Sequence, residues 1–258
     1  MELFYKFMVC FAAGIGAGLG TGFAGMSAAA VISPMLITFL HMEAYDAVGI
    51  ALASDVLASA VSAYTYGKNK NLDIRNGIAM MMSVLAFTVV GSYVSSLVPN
   101  QTMGNFSVFM TFLLGIKFIV KPIMTTKEAM GQTDPKKRLI QSILCGMMIG
   151  FICGFVGAGG GMMMLLILTS VMNYELKSAV GTSVFIMAFT AFTGAVSHFT
   201  IGGAPDPAAF VFCILSTLLW ARIAARFANK ARPETLNRAT GCVLVVLGLL
   251  IIGVNYLF

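Results

Sequence analysis

Long apolar runs recur along this chain, for example "FAAGIGAGLGTGFAGMSAAAVISPMLITFL" at 11–40. A run of about 18 such residues, wound as a helix, reaches across a hydrocarbon core about 30 Å thick. Only helices and closed barrels cross a bilayer, because lipid offers backbone N–H and C=O groups no partners. The runs do not alternate apolar with polar, as barrel strands must. The fold class is therefore an all-α, polytopic membrane protein. Composition agrees, since charged residues make up 10% of the chain against about 25% in soluble domains.

The net charge of +6 does not point to nucleic acid, because the basic residues stand between the apolar runs, as in cytoplasmic loops. Cys10, Cys145, Cys153, Cys213 and Cys242 are scattered, form no CxxC pair and read as small core residues. No metal-ligand cluster, nucleotide loop or catalytic triad is present, so an enzyme is not expected. The start "MELFYKFMVCFAAGIGAG" carries the acidic Glu2 and reads as a retained first helix rather than a cleaved signal peptide.

The chain repeats itself. A shift of 132 positions lays Gly14, Gly18, Gly22, Phe23 and Gly25 on Gly146, Gly150, Gly154, Phe155 and Gly157. It also lays Glu43, Ala47, Val48 and Gly49 on Glu175, Ala179, Val180 and Gly181. "GFAGMSAAA" (22–30) thus answers "GFVGAGGGM" (154–162), and "SAYTYG" (62–67) answers "SHFTIG" (197–202) after about three inserted residues. Two homologous transmembrane halves, 1–126 and 137–258, are expected, joined by a polar cytoplasmic linker at 127–136. Helical spans are expected at 4–21, 26–40, 46–66, 76–98 and 104–121, then at 139–155, 160–172, 178–200, 207–227 and 238–257. Pro34 falls inside a span and predicts a kink or an irregular turn.

All but Lys6 and Lys177 of the sixteen basic residues lie at 68–75, 117–138 or 222–238. Cytoplasmic placement of all three clusters needs two crossings between the second and the third. Spans 178–200 and 207–227 supply them, so 139–172 enters and leaves on one side, turning at its glycine run. The loop at 67–75 is then inside and its counterpart near 201–206 outside. The halves have inverted topology, a recurrent design of secondary transporters.

The glycine runs sit where each half would turn around. A break there leaves backbone N–H groups free, and with the helix dipole they make an anion site that glycine lets a ligand approach. Close helix packing is the other use of such glycines, and both readings stand at this point.

The run "GFVGAGGGMMMLLIL" (154–168), its partner in the first half and the following "KSAVGTSVFIMAFTAFTGAVSHF" (177–199) resemble the TauE/SafE family of sulfite exporters over nearly the full length. The resemblance implies a permease of the cell membrane, carrying small sulfur-containing anions such as sulfite or organosulfonates without ATP hydrolysis. The first half departs from the pattern: "AVGIALASD" (47–55) lacks the Thr-Ser pair that the second half carries in "AVGTS" (179–183). Another small anion or metabolite as cargo, or a non-transporting scaffold, stays open.

Candidate substrate-binding residues are Thr21, Gly22, Gly25, Ser27, Gly157, Gly159, Gly160, Gly161, Thr182 and Ser183. Asp55 stands near mid-membrane, where an acid is costly and functional by default. It reads as a coupling residue for a proton or cation, as the partner of Arg222 or Lys117, or as a carboxyl hydrogen-bonded inside the bundle. His198 is the second coupling candidate. Trp220 and the span-end tyrosines read as interface anchors. Expected partners are a small anionic substrate and the lipid bilayer, with no nucleic acid and no cofactor; a coupling ion and a homodimer stay open.

Overall fold

A computed structural model describes residues 2–95, 116, 119–120, 125–131, 134–156, 160–202 and 205–257. Among these, ten helices account for the regular structure: α1 (Glu2–Ala24), α2 (Ala29–Leu40), α3 (Ala44–Lys68), α4 (Ile74–Ser95), α5 (Lys127–Gly131), α6 (Pro135–Val156), α7 (Gly160–Ser170), α8 (Leu176–Gly202), α9 (Pro207–Lys230) and α10 (Pro233–Leu257). The chain is an integral membrane protein. Among the described residues, four helices are long and apolar enough to cross a bilayer, at Glu2–Ala24, Asp46–Lys68, Leu176–Val196 and Pro207–Lys230. Helices α2 and α7, with 12 and 11 residues, rise only about 16–18 Å and reach part of the way.

The expected spans match these helices closely. The span at 104–121 falls almost wholly outside the described residues. The linker carries the short α5, which its polar composition did not suggest. Helix α2 runs on through Pro34, and the irregular backbone lies earlier, at 25–28. Pro135, Pro207 and Pro233 each open a helix, where the missing N–H has no intrahelical acceptor to lose.

The helices recur at the spacing of the sequence repeat, and so do their ends. Helix α2 stops at His41 (φ 50°) and α7 just before Asn173 (φ 52°), both left-handed. The Met42 N–H then donates to the Leu36 carbonyl, and the Tyr174 N–H to the Leu168 carbonyl, each donor and acceptor 132 positions from its counterpart. Helices α1 and α2 fold back on each other, and the Tyr5 hydroxyl donates to the Phe39 carbonyl at 3.2 Å.

The two sets of four elements, α1–α4 and α6–α9, interlock reciprocally. Helix α1 lies along α9, and α6 along α4. Glycines make both contacts. A Cβ on Gly18 would lie 2.7 Å from the Thr217 carbonyl oxygen, and one on Gly146 2.8 Å from that of Met80. Gly14 packs on Ser216 and Gly22 on Ala224, while Gly150 packs on Val84. These are small-residue seams of the kind that let membrane helices approach backbone to backbone. Residue numbers rise together in both seams, so both pairs are parallel. Helices α3 and α8, equivalent in the repeat, also pack together. There Gly194 meets Leu52 and Gly181 meets Tyr66, so this pair is antiparallel.

Candidate functional site at the helix breaks

Between α1 and α2 the backbone leaves the helix at 25–28. Gly25 takes φ +61°, which costs a residue with a side chain about 1–2 kcal/mol. The Gly25 N–H donates to the Thr21 carbonyl and the Met26 N–H to that of Gly20. The Thr21 hydroxyl closes the turn, 2.9 Å from the Met26 carbonyl and 3.0 Å from that of Ala17. Two further helices pin the end of α1: the Tyr66 hydroxyl donates to the Gly22 carbonyl at 2.8 Å, and Thr240 donates to that of Phe23 at 3.2 Å.

Asp55 lies against this break, fully buried. Its Oδ2 accepts from the Ser27 hydroxyl at 2.6 Å and its Oδ1 from the Ser59 hydroxyl at 2.8 Å. The Ser27 oxygen in turn accepts from the Ala29 N–H at 3.3 Å. The start of α2 is therefore not an empty cradle of N–H groups, as the glycine pattern suggested. The chain's own carboxylate fills it, as expected of an anion at a helix N-terminus.

The opening turn of α7 comes to this irregular stretch. Gly161, in the opening turn of α7, packs on residues 25–27. A Cβ there would lie 2.5 Å from the Gly25 carbonyl oxygen and 2.9 Å from the Ser27 nitrogen. Ser183 of α8 completes the contact, its hydroxyl 3.0 Å from the Val180 carbonyl and 3.4 Å from that of Gly25. Thus Gly25, Ser27, Asp55, Gly161 and Ser183 converge.

Other candidates stand apart. Gly22 faces α9. The Thr182 hydroxyl accepts from the Asp73 N–H at 3.2 Å, tying α8 to the α3–α4 loop. Gly160 begins α7 beside Gly161. Gly157, Gly159 and the His198 side chain lie outside the described residues. So does Lys117, and Arg222 is exposed; among the described residues the side-chain partners of Asp55 are two serine hydroxyls. Tyr66 and Tyr174 are fully buried and donate to Gly22 and Asp73, which removes them from the interface anchors.

Ser59, Ser62 and Tyr66 are site residues that the reading of the sequence missed. With Asp55 they stand at helical spacing on one face of α3, all with 0% exposure. The Ser62 hydroxyl has no protein partner. That i, i+4, i+7, i+11 stripe of polar groups in an apolar span was the available signal. An apolar depression of about 530 Å³, lined by Ala63, Tyr64, Gly67, Lys68, Leu72 and Phe185, opens beyond the stripe at the end of α3 and is separate from Asp55.

A family profile described as sulfite exporter TauE/SafE matches residues 10–251. The chain belongs to this family. Relatives bear names of the same kind. The Bacillus subtilis "Probable membrane transporter protein YdhB" is 23% identical over 239 residues, which is 91% of this chain and 96% of that protein. "Probable membrane transporter protein YunE" of the same organism is 24% identical, covering 90% and 89%. "Probable membrane transporter protein MJ0441" of Methanocaldococcus jannaschii is 28% identical over 217 residues, covering 79% and 77%. No solved structure matches the chain. Membership makes this a chain of a membrane transporter family, and the TauE/SafE match spans residues 25–28, the start of α7 and the Asp55 stripe.

Proposed function

We propose that the chain is a secondary transporter of small sulfur-containing anions, sulfite or organosulfonates, in the cell membrane, with its binding site where the two helix breaks meet. The observation that carries this reading is the packing of Gly161 on Gly25–Ser27 in a chain of the TauE/SafE family. Broken helices abutting at a repeat interface are the usual substrate sites of secondary transporters.

Inverted repeats are part of the reading. Equivalent helices α3 and α8 run antiparallel, while first and fourth elements pair reciprocally and in parallel. A pseudo-two-fold axis lying in the membrane plane produces both features. Arg222, Arg226, Lys230 and Arg232 then mark the inner ends of α9 and α1, and Lys6 marks an outer end.

The two breaks differ in charge. The start of α2 holds the Asp55 carboxylate, whereas the repeat counterpart of Asp55 is the buried Met187. An anionic cargo and an ionised Asp55 repel each other. Protonating Asp55 removes its charge and frees the Ser27 and Ser59 hydroxyls for the cargo, so proton and anion bind together. Only small oxyanions suit so confined a set of hydroxyl and amide donors.

The test is thermal stabilisation of the purified protein by sulfite, sulfate, thiosulfate, sulfoacetate and taurine, with chloride as control. Stabilisation by sulfite or a sulfonate, lost in Gly161→Leu, is the expected result. A protein stabilised by none of them, or equally by chloride, overturns the reading.

A further inference from the structure

The N-terminal ends of two helix pairs carry the same ionic positions. Lys6 stands eight residues before Gly14 and Asp206 ten before Ser216, and Gly14 packs on Ser216. Arg138 stands eight residues before Gly146 and Asp73 ten before Ser83, and Gly146 packs on Ser83. The registers superpose, making Arg138 and Asp73 the counterparts of Lys6 and Asp206. Both aspartates also cap their helices: Asp206 accepts from the Ala209 N–H at 2.8 Å, and Asp73 from the Asn76 N–H at 3.2 Å.

The two ends differ in what stands between the charges. Lys6 Nζ meets Asp206 Oδ2 at 2.7 Å. At the other end Tyr174 intervenes. Its ring lies under the Arg138 guanidinium, 5.5 Å from centroid to Cζ, and its hydroxyl donates to Asp73 Oδ2 at 2.8 Å. Burial, and then the Asp73 charge, raise the Tyr174 phenol above its usual range, so it stays a donor. Nε and Nη2 of Arg138 are shut away from solvent and have no hydrogen-bond partner among the described residues. These two N–H groups form the side-on fork of the guanidinium, which fits a carboxylate bidentately. Buried donors without an acceptor are costly to keep. The counterpart of Tyr174 is Met42, which has no hydroxyl to interpose.

We propose that Lys6–Asp206 and Arg138–Asp73 are alternating latches on the outer and inner faces, the outer one closed in this structure and the inner one held apart by Tyr174. This rests on the inverted-repeat transporter reading above. When the two halves exchange conformations, Tyr174 withdraws, the Arg138 fork takes Asp73, the inner ends of α4 and α6 draw together, and Lys6 leaves Asp206.

The experiment uses the full chain in lipid nanodiscs with pairs of spin labels. One pair, at Arg75 and Lys137, reports the inner ends. The other, at Phe4 and Val211, reports the outer ends. Tyr174→Phe removes the phenol from Asp73 Oδ2, leaving the Asn76 side-chain amide as its donor there at 2.7 Å, and keeps the buried ring. It is expected to shorten the inner distance and lengthen the outer one, shifting the ratio of the two states about two- to fivefold, the factor an exposed ion pair carries. Lys6→Gln is expected to shift it the same way and Arg138→Gln the opposite way. These last two variants decide the matter where Tyr174→Phe does not fold. Distances that stay fixed in the variants, or that change together in the same sense, overturn the latches. Sulfite uptake by the same proteins separates this from the functional reading: exchanging distances without uptake leave the latches standing and remove sulfite, and uptake with fixed distances does the reverse.

Discussion

Ser27 donates its hydroxyl to Asp55 across 2.6 Å, joining the break between α1 and α2 to the middle of α3. One carboxylate thereby fixes the start of α2, draws in Ser59, and faces the point where Gly161 arrives from the other half of the chain.

Asp55→Asn keeps the size of the side chain and removes its charge, imitating the protonated acid. It is expected to retain anion binding and exchange but to lose accumulation driven by a pH gradient. Uptake into liposomes with and without an imposed gradient measures this, and unchanged gradient-driven uptake would return Asp55 to a purely structural role. Asp55→Ala strands the Ser27 and Ser59 hydroxyls and is expected to cost about 1–3 kcal/mol of stability.

Gly161→Ala puts a methyl group 2.5 Å from the Gly25 carbonyl oxygen, so the breaks must move apart. Transport should fall at least tenfold while the protein still folds. At Gly67 a Cβ would meet only Leu72 Cδ2, at 3.4 Å, and Gly67→Ala should transport normally. Equal activity in the two variants would reduce the meeting of the breaks to incidental packing.

Much of the helical layout was legible in the sequence, because most spans are apolar runs ended by a proline, a glycine or a charge. The glycine repeat singled out Gly25 and Gly161, which the packing of α7 on residues 25–27 brings together. The occupant of the first break was not. Nothing in "GFAGMSAAA" indicates that a residue 28 positions beyond Ser27 supplies the anion. That pairing depends on how α3 crosses the break, and only the three-dimensional packing fixes it. The division of labour among glycines was hidden for the same reason. Gly14, Gly18 and Gly22 serve the α1–α9 seam and Gly25 serves the turn, yet in sequence they form one series.

Single cysteines at Phe4 and Lys136 occupy equivalent positions in the repeat, and both side chains are exposed. With inverted topology, a membrane-impermeant thiol reagent labels the first from outside and the second only from inside. Labelling of both from one face contradicts inverted topology.

At the start of α9, the Ala209 N–H and then Lys6 hold the Asp206 carboxyl below its usual range. A carboxyl with a lowered folded-state pKa stabilises the fold above its unfolded value, and that stability disappears as pH falls through the lowered one. The advantage of wild type over Asp206→Ala, about 1 kcal/mol for the lost cap, should therefore hold constant from about pH 8 to 5. It should shrink only below about pH 4. Thermal unfolding across that range checks it, and an advantage that fades between pH 7 and 5 would assign the effect to another group.

Uptake of labelled sulfite into liposomes containing the purified protein tests the central claim most directly. The account expects saturable uptake that exceeds that of empty liposomes, is competed by sulfonates but not by chloride, rises with an inward proton gradient, and is lost in Gly161→Leu. Uptake no greater than in empty liposomes, or uptake untouched by Gly161→Leu, would contradict it.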